Sequence, residues 1–185
     1  MDDFSRRGFI ATAGGALAAA WLTADNDNLL AAARHAEAAR AGETPPFLFL
    51  TAQQAADIDA ATSQIVPTDE TPGAHEARVV HFIDKALATW QKDQRPDFEK
   101  GLAELRKRAG DVPFASLPAD RQTAVIASLE KDKDPFFFAL RGATIAAMFS
   151  NPEYGGNFNK SGWKLLGFDD RFSWAPPFGW YDANA

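Results

Sequence analysis

The chain contains no cysteine, and this absence excludes several kinds of chemistry at once. A disulfide, a thiolate-bound iron–sulfur cluster, a thiol nucleophile and the paired cysteines that attach a c-type haem all require that residue. Histidine is also scarce, and His75 and His81 are six residues apart, a spacing that puts them on different faces of a helix. We therefore predict no catalytic, metal or cofactor site within this chain.

Basic clusters and long apolar runs are missing as well. The chain has 19 Lys and Arg against 25 Asp and Glu, a net charge of −6, and its basic residues are scattered among acidic neighbours. Without a basic stripe to neutralise phosphates, nucleic acid is not an expected partner. The apolar stretch of residues 9–22 is shorter than the roughly 20 residues that a membrane span needs, so a permanent anchor is disfavoured.

The N-terminus has the pattern of an export signal. Arg6 and Arg7 stand two residues before Phe9, which begins an uncharged apolar stretch rich in alanine and glycine. This order of charged start, apolar run and small residues is typical of a signal peptide, and the paired arginines indicate the twin-arginine type. We assign residues 1–24 to a twin-arginine signal peptide, which predicts a periplasmic location and the twin-arginine translocase as a partner, and residues 25–46 to a flexible lead-in.

The twin-arginine route transports proteins that are already folded, commonly after they acquire a cofactor, yet this passenger has no visible cofactor motif. The mismatch suggests that the signal serves a folded partner travelling in the same complex. Cleavage after Ala20 and cleavage near Ala24 both fit the small residues of this segment.

Residues 47–185 form the predicted domain, and the apolar periodicity of its first part is helical. Thr51 and Gln54 have the spacing of a capping box, which predicts a helix over residues 52–66 that Pro67 ends. Apolar stripes or proline starts predict four further helices, at 79–90, about 98–110, 118–130 and from Pro135 onward. No segment alternates like a strand. We predict an all-α fold, a compact bundle of about five helices with an irregular, aromatic-rich C-terminal segment.

Beyond Asn151 glycine, asparagine, proline and aromatic residues dominate. The turn at residues 154–157 predicts positive φ at its two glycines, and residues 162–166 fit one short helical turn. For residues 149–168 two interpretations stay open, packing back on the core and contact with a partner. Contact is favoured for residues 172–181, where two consecutive prolines hold the chain extended.

Two parts of the chain, residues 50–90 and 136–168, carry a resemblance to a known family. Its most specific elements are Tyr154-Gly155-Gly156-Asn157 and Gly162-Trp163-Lys164. On these residues the chain resembles the gluconate 2-dehydrogenase subunit 3 family, in which a twin-arginine signal is typical. The resemblance covers most of the predicted mature chain.

The resemblance implies a non-catalytic small subunit of a sugar or sugar-acid dehydrogenase. In such complexes a large subunit holds FAD, a third subunit is a multihaem cytochrome c, and the assembly is periplasmic and associated with the membrane through its partner subunits. The small subunit supports maturation and twin-arginine export of the flavoprotein. The alternative is a free-standing periplasmic binding or chaperone protein that does not stay in the mature complex.

These interpretations place the predicted contact with the large subunit on the aromatic C-terminal segment. The predicted interface residues are Tyr154, Asn157, Trp163, Trp174, Phe178 and Trp180. Large side chains of this kind, presented on irregular segments, are common anchors of protein interfaces.

Replacing Arg6 and Arg7 together by lysine is expected to leave both this chain and its flavoprotein partner in the cytoplasm, because the partner is expected to lack an efficient signal of its own. Cell fractionation measures the outcome. Normal periplasmic dehydrogenase activity in that strain would remove the carrier role and leave the subunit role intact.

Overall fold

A computed structural model describes residues 46–171, so the predicted signal peptide with Arg6, Arg7 and Phe9, nearly all of the lead-in and the tail after Arg171 lie outside the described residues. All regular secondary structure in the described part is helical, and it has no strand. Its α-helices are α1 (Ala52–Ile65), α2 (Val79–Ala88), α3 (Arg95–Arg108), α4 (Ala119–Lys131), α5 (Pro135–Phe149) and the short α6 (Ser161–Leu166). The predicted all-α class is confirmed.

Local chemistry sets the helix starts that the sequence predicted. At α1 the Thr51 hydroxyl accepts the Gln54 amide at 3.3 Å, and the Gln54 side chain accepts the Thr51 amide at 2.9 Å. This reciprocal pair satisfies two amides that a helix start leaves without partners. At α5 the Asp134 carboxylate accepts the Phe136 amide at 2.9 Å, and Pro135, which has no amide hydrogen, occupies the first helical position.

Helix α5 is the centre of the packing. It contacts each of the other five helices of the described region, and every residue from Gly142 to Met148 is buried. Three alanines and a glycine in this stretch let neighbouring backbones approach closely, while Leu140 and Met148 fill the space between helices. A helix surrounded on all sides needs no polar face, which explains why α5 lacks the amphipathic pattern of α2.

A buried carboxylate ties the segment before α1 to helix α2. Asp84 is only 3% exposed, and its two oxygens accept the backbone amides of Leu48, Phe49 and Leu50 at 2.7, 2.9 and 2.8 Å. Three charge-assisted hydrogen bonds replace the water that this carboxylate loses on burial. The contact fixes where the chain enters α1 and seats Leu50 in the core.

Two further polar side chains hold connections to helices in the same way. Asp57 of α1 accepts the Ala115 amide at 2.8 Å, which fixes the short 3₁₀ turn Phe114–Ser116 against α1. Arg95 donates to the carbonyls of Leu87 and Ala88 at 2.6 and 3.1 Å, so a cation satisfies acceptors that the end of α2 leaves open.

Asp84→Asn is expected to lower the free energy of unfolding by about 3 kcal/mol, because the amide keeps one acceptor oxygen and turns an NH₂ group toward backbone donors. Urea denaturation followed by circular dichroism measures the change. Asp97→Asn on the exposed side of α3 is the matched control and should change stability by less than about 0.5 kcal/mol. Equal stability of the two variants would contradict the role assigned to Asp84.

Candidate functional site

The segment from Tyr154 to Trp163, here called the motif turn, packs against α2 and α5. Gly155 has φ +102°, and a Cβ on Gly156 would lie 2.4 Å from the Ala147 carbonyl oxygen. The prediction of positive φ at both glycines is therefore wrong for Gly156, and the second left-handed residue is Asn157 at φ 47°. Gly156 is required for close approach to α5, because any side chain would collide with the helix backbone.

Asn157 connects the end of α5 to the start of α6. Its side chain is fully buried, and its Nδ2 donates to the Ser150 carbonyl at 2.8 Å. Its Oδ1 accepts the Gly162 amide at 2.9 Å. An asparagine fits this position because it offers a donor and an acceptor together and tolerates the left-handed conformation.

Helix α6 rests on the C-terminal end of α5. The Trp163 indole donates to the Phe149 carbonyl at 2.9 Å, and its ring meets Phe168 edge to face at 5.2 Å. A Cβ on Gly162 would lie 1.8 Å from the Met148 carbonyl oxygen, so this glycine lets the two helices touch. Gly162 and Trp163 of the motif therefore determine the position of α6 against α5.

Tyr154 belongs to a row of aromatic rings that begins in the core. Its ring meets Trp90 edge to face at 5.8 Å, and Trp90 meets Phe82 in the same manner at 5.9 Å. Tyr154 and Trp163 are half-buried. Through residue 163 the aromatic side chains thus pack back on the helices, the first of the two interpretations left open for this segment.

The predicted interface residues divide into two groups. Tyr154, Asn157 and Trp163 are brought together in the motif turn, with Asn157 wholly enclosed by its own chain. Their contact with a partner stays a prediction. Trp174, Phe178 and Trp180 lie outside the described residues.

Beyond Trp163 apolar side chains are exposed at the end of α6. Leu166 is 38% exposed and Phe168 is 48% exposed, and we call this pair the α6 patch. Lys164, Asp169 and Arg171 surround the pair in sequence, and the last two form an ion pair. An apolar centre beside charged residues is a common arrangement of protein interfaces.

A cavity of about 470 Å³ opens between α2 and the motif turn. Its walls combine charged and apolar side chains, among them Leu48, Arg78, His81, Asp84, Lys85, Pro152, Glu153, Phe158, Lys160, Trp163 and Asp170. The volume lies within the range of small-molecule sites in proteins.

Lys85 is the unusual residue of this cavity, because it is only 5% exposed. Its Nζ donates to the Glu153 carbonyl at 3.0 Å. Burial lowers the pKa of Lys85 to about 8, and the nearby Glu153 carboxylate opposes that shift in part. The lysine is therefore charged at neutral pH and can lose its proton at moderately alkaline pH.

His81 and Arg78 complete the wall formed at the start of α2. Burial lowers the pKa of His81 and the positive charge of Arg78 lowers it further, against the opposing effect of Asp84 and Asp59. The imidazole stacks on Phe47 with ring centroids 4.9 Å apart. The Arg78 guanidinium lies 3.6 Å above the Phe158 ring, a cation–π contact that joins α2 to the motif turn.

Sequence reasoning missed the part that α2 plays here. The apolar stripe predicted the helix at residues 79–90 but gave no role to Asp84 or Lys85. The available signal was a pair of adjacent opposite charges inside a mostly apolar helix, which indicates buried charges that need partners elsewhere in the fold.

Residues 46–171 contain neither a candidate metal site nor a candidate membrane span. No group of three or more histidine, aspartate or glutamate side chains comes together there as a metal site. None of the helices described is both long and apolar enough to cross a membrane.

The fold and the motif turn define a small helical protein. The residues of its motif turn stabilise the packing of the chain itself. The sequence profile of the family described as Gluconate 2-dehydrogenase subunit 3 matches residues 52–170, a span that contains all six helices and the motif turn. The chain belongs to the gluconate 2-dehydrogenase subunit 3 family, and the family name makes it a subunit of a dehydrogenase complex. Comparisons with curated proteins and with solved structures gave no match.

Gly162→Ala is expected to destabilise the chain by about 3 kcal/mol, since the new methyl group would overlap the Met148 carbonyl and force α6 away from α5. Thermal and urea unfolding measure the loss. Gly167→Ala is the matched control: that glycine has φ +69° with open space around it, so only backbone strain of about 1 kcal/mol is expected. A smaller loss at Gly162 than at Gly167 would contradict the close contact.

Proposed function

We propose that this chain is the non-catalytic small subunit of a periplasmic FAD-dependent sugar or sugar-acid dehydrogenase, and that it supports maturation and twin-arginine export of the flavoprotein subunit. The family match over residues 52–170 carries the proposal. FAD belongs to the large subunit and c-type haem to a cytochrome subunit, through which the complex is held at the membrane. The small subunit contributes binding, not chemistry.

The position of the family motifs supports a binding role. Asn157, Gly156 and Gly162 interact with helix backbone of the same chain, so their chemistry is structural. What these residues achieve is a fixed position for α6 and for the α6 patch at its end. A partner surface presented on a rigid element binds with less loss of conformational entropy than one on a mobile segment.

The α6 patch is the part of the described surface best suited to the large subunit. Leu166 and Phe168 are apolar and exposed, and the chain continues from Arg171 directly into the aromatic tail. The tail adds Trp174, Phe178 and Trp180, so the predicted interface extends from α6 along the sequence toward the C-terminus. Aromatic anchors of this type contribute much of the affinity of protein complexes.

The export role rests on the N-terminal sequence. Arg6, Arg7 and Phe9 supply a twin-arginine signal to a chain with no visible cofactor motif, whereas the flavoprotein must fold around FAD before transport. A stable complex formed before export would carry the flavoprotein through the translocase on the signal of the small subunit.

The alternative function is a free-standing periplasmic binding or chaperone protein that leaves the mature complex. The cavity beside Lys85 is the observation that favours it, because a concave site of this volume can hold a ligand independently of any large subunit. Retention of the chain in the purified, active dehydrogenase distinguishes the two functions.

Replacing Leu166 and Phe168 together by serine is expected to reduce the flavoprotein that co-purifies with the tagged chain by tenfold or more, since interface anchors typically contribute about 2 kcal/mol each. Co-expression with the flavoprotein followed by affinity capture measures the loss. Val112→Ser is the matched control. Val112 is exposed to a similar degree, 41%, but it lies between α3 and α4 and is distant in sequence from the α6 patch.

Deleting residues 172–185 extends the same experiment to the tail, and the helical content measured by circular dichroism should stay nearly unchanged. Full recovery of the flavoprotein with both the serine variant and the deletion would contradict the assigned interface. Loss of helical content in either variant would show that these residues complete the core of this chain instead.

A further inference from the structure

The Lys85 ammonium has more hydrogen-bonding capacity than its surroundings use. An ammonium carries three N–H donors. The structure gives Nζ one acceptor, the Glu153 carbonyl at 3.0 Å, and among residues 46–171 no carboxylate forms an ion pair with it. A cation that is 95% buried, with one neutral hydrogen-bond acceptor and a nearby carboxylate that offsets its desolvation only in part, costs stability unless something else compensates its charge.

A ligand bound in the cavity beside α2 can compensate the charge of Lys85. Lys85 and Glu153, the two partners of this hydrogen bond, both line it. A volume of about 470 Å³ accommodates a small organic molecule. Since Lys85 is so little exposed, a ligand must enter the cavity to reach it. A flat protein surface laid over the opening would not contact the ammonium.

The other charges of the wall are already engaged. Asp84 accepts three backbone amides, and Lys160 forms an ion pair with Asp170 at 2.6 Å. The Arg78 guanidinium lies over the Phe158 ring. The ring contact of Arg78 uses none of its N–H groups, but Arg78 is only half-buried and can donate to water. Lys85 is thus the cation of the wall that is both buried and left with open donors.

The carboxylates of the wall limit how much negative charge a ligand can carry, because they equal the cations Arg78, Lys85 and Lys160 in number. Asp84, Glu153 and Asp170 line the cavity, and their carboxylates repel a dianion such as phosphate about twice as strongly as a singly charged ligand. A carboxylate carries a single charge and accepts two or more hydrogen bonds. Leu48, Phe158 and Trp163 offer apolar contact to the rest of such a molecule.

We propose that this cavity binds a small monocarboxylic acid, with the Lys85 ammonium donating to the carboxylate and the side chains of Leu48, Phe158 and Trp163 contacting the body of the ligand. The site is independent of the α6 patch and of the role in export.

Titration of the wall gives the site a dependence on pH. Burial lowers the pKa of Lys85 to about 8, so the ammonium that binds the carboxylate is lost as the pH rises through that value. The pKa of His81 is also lowered by burial, so its imidazole adds no charge at neutral pH. The other charged groups of the wall are Arg78, Lys160, Asp84, Glu153 and Asp170. A bound carboxylate favours the charged lysine and raises its pKa.

The test is an NMR titration of the full chain carrying ¹³C,¹⁵N-labelled lysine and ¹⁵N-labelled tryptophan. Benzoate is the probe, and benzamide is its neutral counterpart of the same shape, both added at constant ionic strength and at a pH below the pKa of Lys85. Benzoate should shift the Lys85 and Trp163 side-chain resonances saturably and raise the midpoint at which Lys85 titrates. Benzamide should do neither.

Two variants and a second anion complete the experiment. Lys85→Met should weaken benzoate binding tenfold or more, while Lys100→Met, on the exposed side of α3, should bind as the wild type does. Because benzoate and benzamide are compared on the wild-type chain, the result stands even if Lys85→Met fails to fold. The proposal is overturned by an absent or non-saturable shift, by an equal response to benzamide, by binding that survives in Lys85→Met, or by binding of inorganic phosphate in place of benzoate.

Discussion

The buried Asp84 carboxylate is the constraint on which the rest of this structure depends. By accepting the amides of residues 48–50 it attaches the start of the domain to α2. The next residue, Lys85, holds Glu153 from the far end of the domain. Two adjacent buried charges on one helix thus bring together segments from both ends of the described chain, and the cavity lies between those segments because each charge anchors one of its walls.

The motif turn shows how a family signature can be structural. Gly156 and Gly162 allow contact with the backbone of α5, and Asn157 supplies the donor and the acceptor that close the turn. None of these three residues offers reactive chemistry. Their effect is to present α6 at a fixed place on the surface, where the exposed Leu166 and Phe168 support our proposal of a docking site for a larger subunit.

The sequence by itself determined the helical fold. Thr51 with Gln54, and Asp134 with Pro135, set helix starts through contacts within a few residues, and apolar periodicity marked the faces that pack. These features are legible because a capping residue and its amide partner are neighbours in the chain. The family resemblance, carried by the motif turn, was equally a matter of local sequence and is confirmed by the match over residues 52–170.

Only the tertiary structure decided three features of the protein. They are the cavity, the roles of Asp84 and Lys85, and the position of α6 against α5. Lys85 and its acceptor are 68 residues apart, and Asp84 and the Leu50 amide are 34 residues apart, so no local pattern names these partners. The second left-handed residue of the turn, after Gly155, proved to be Asn157 and not Gly156, because the close approach of α5 fixes the turn. A sequence shows that a charge interrupts an apolar helix, but burial and hydrogen-bond partners depend on which distant segments pack there.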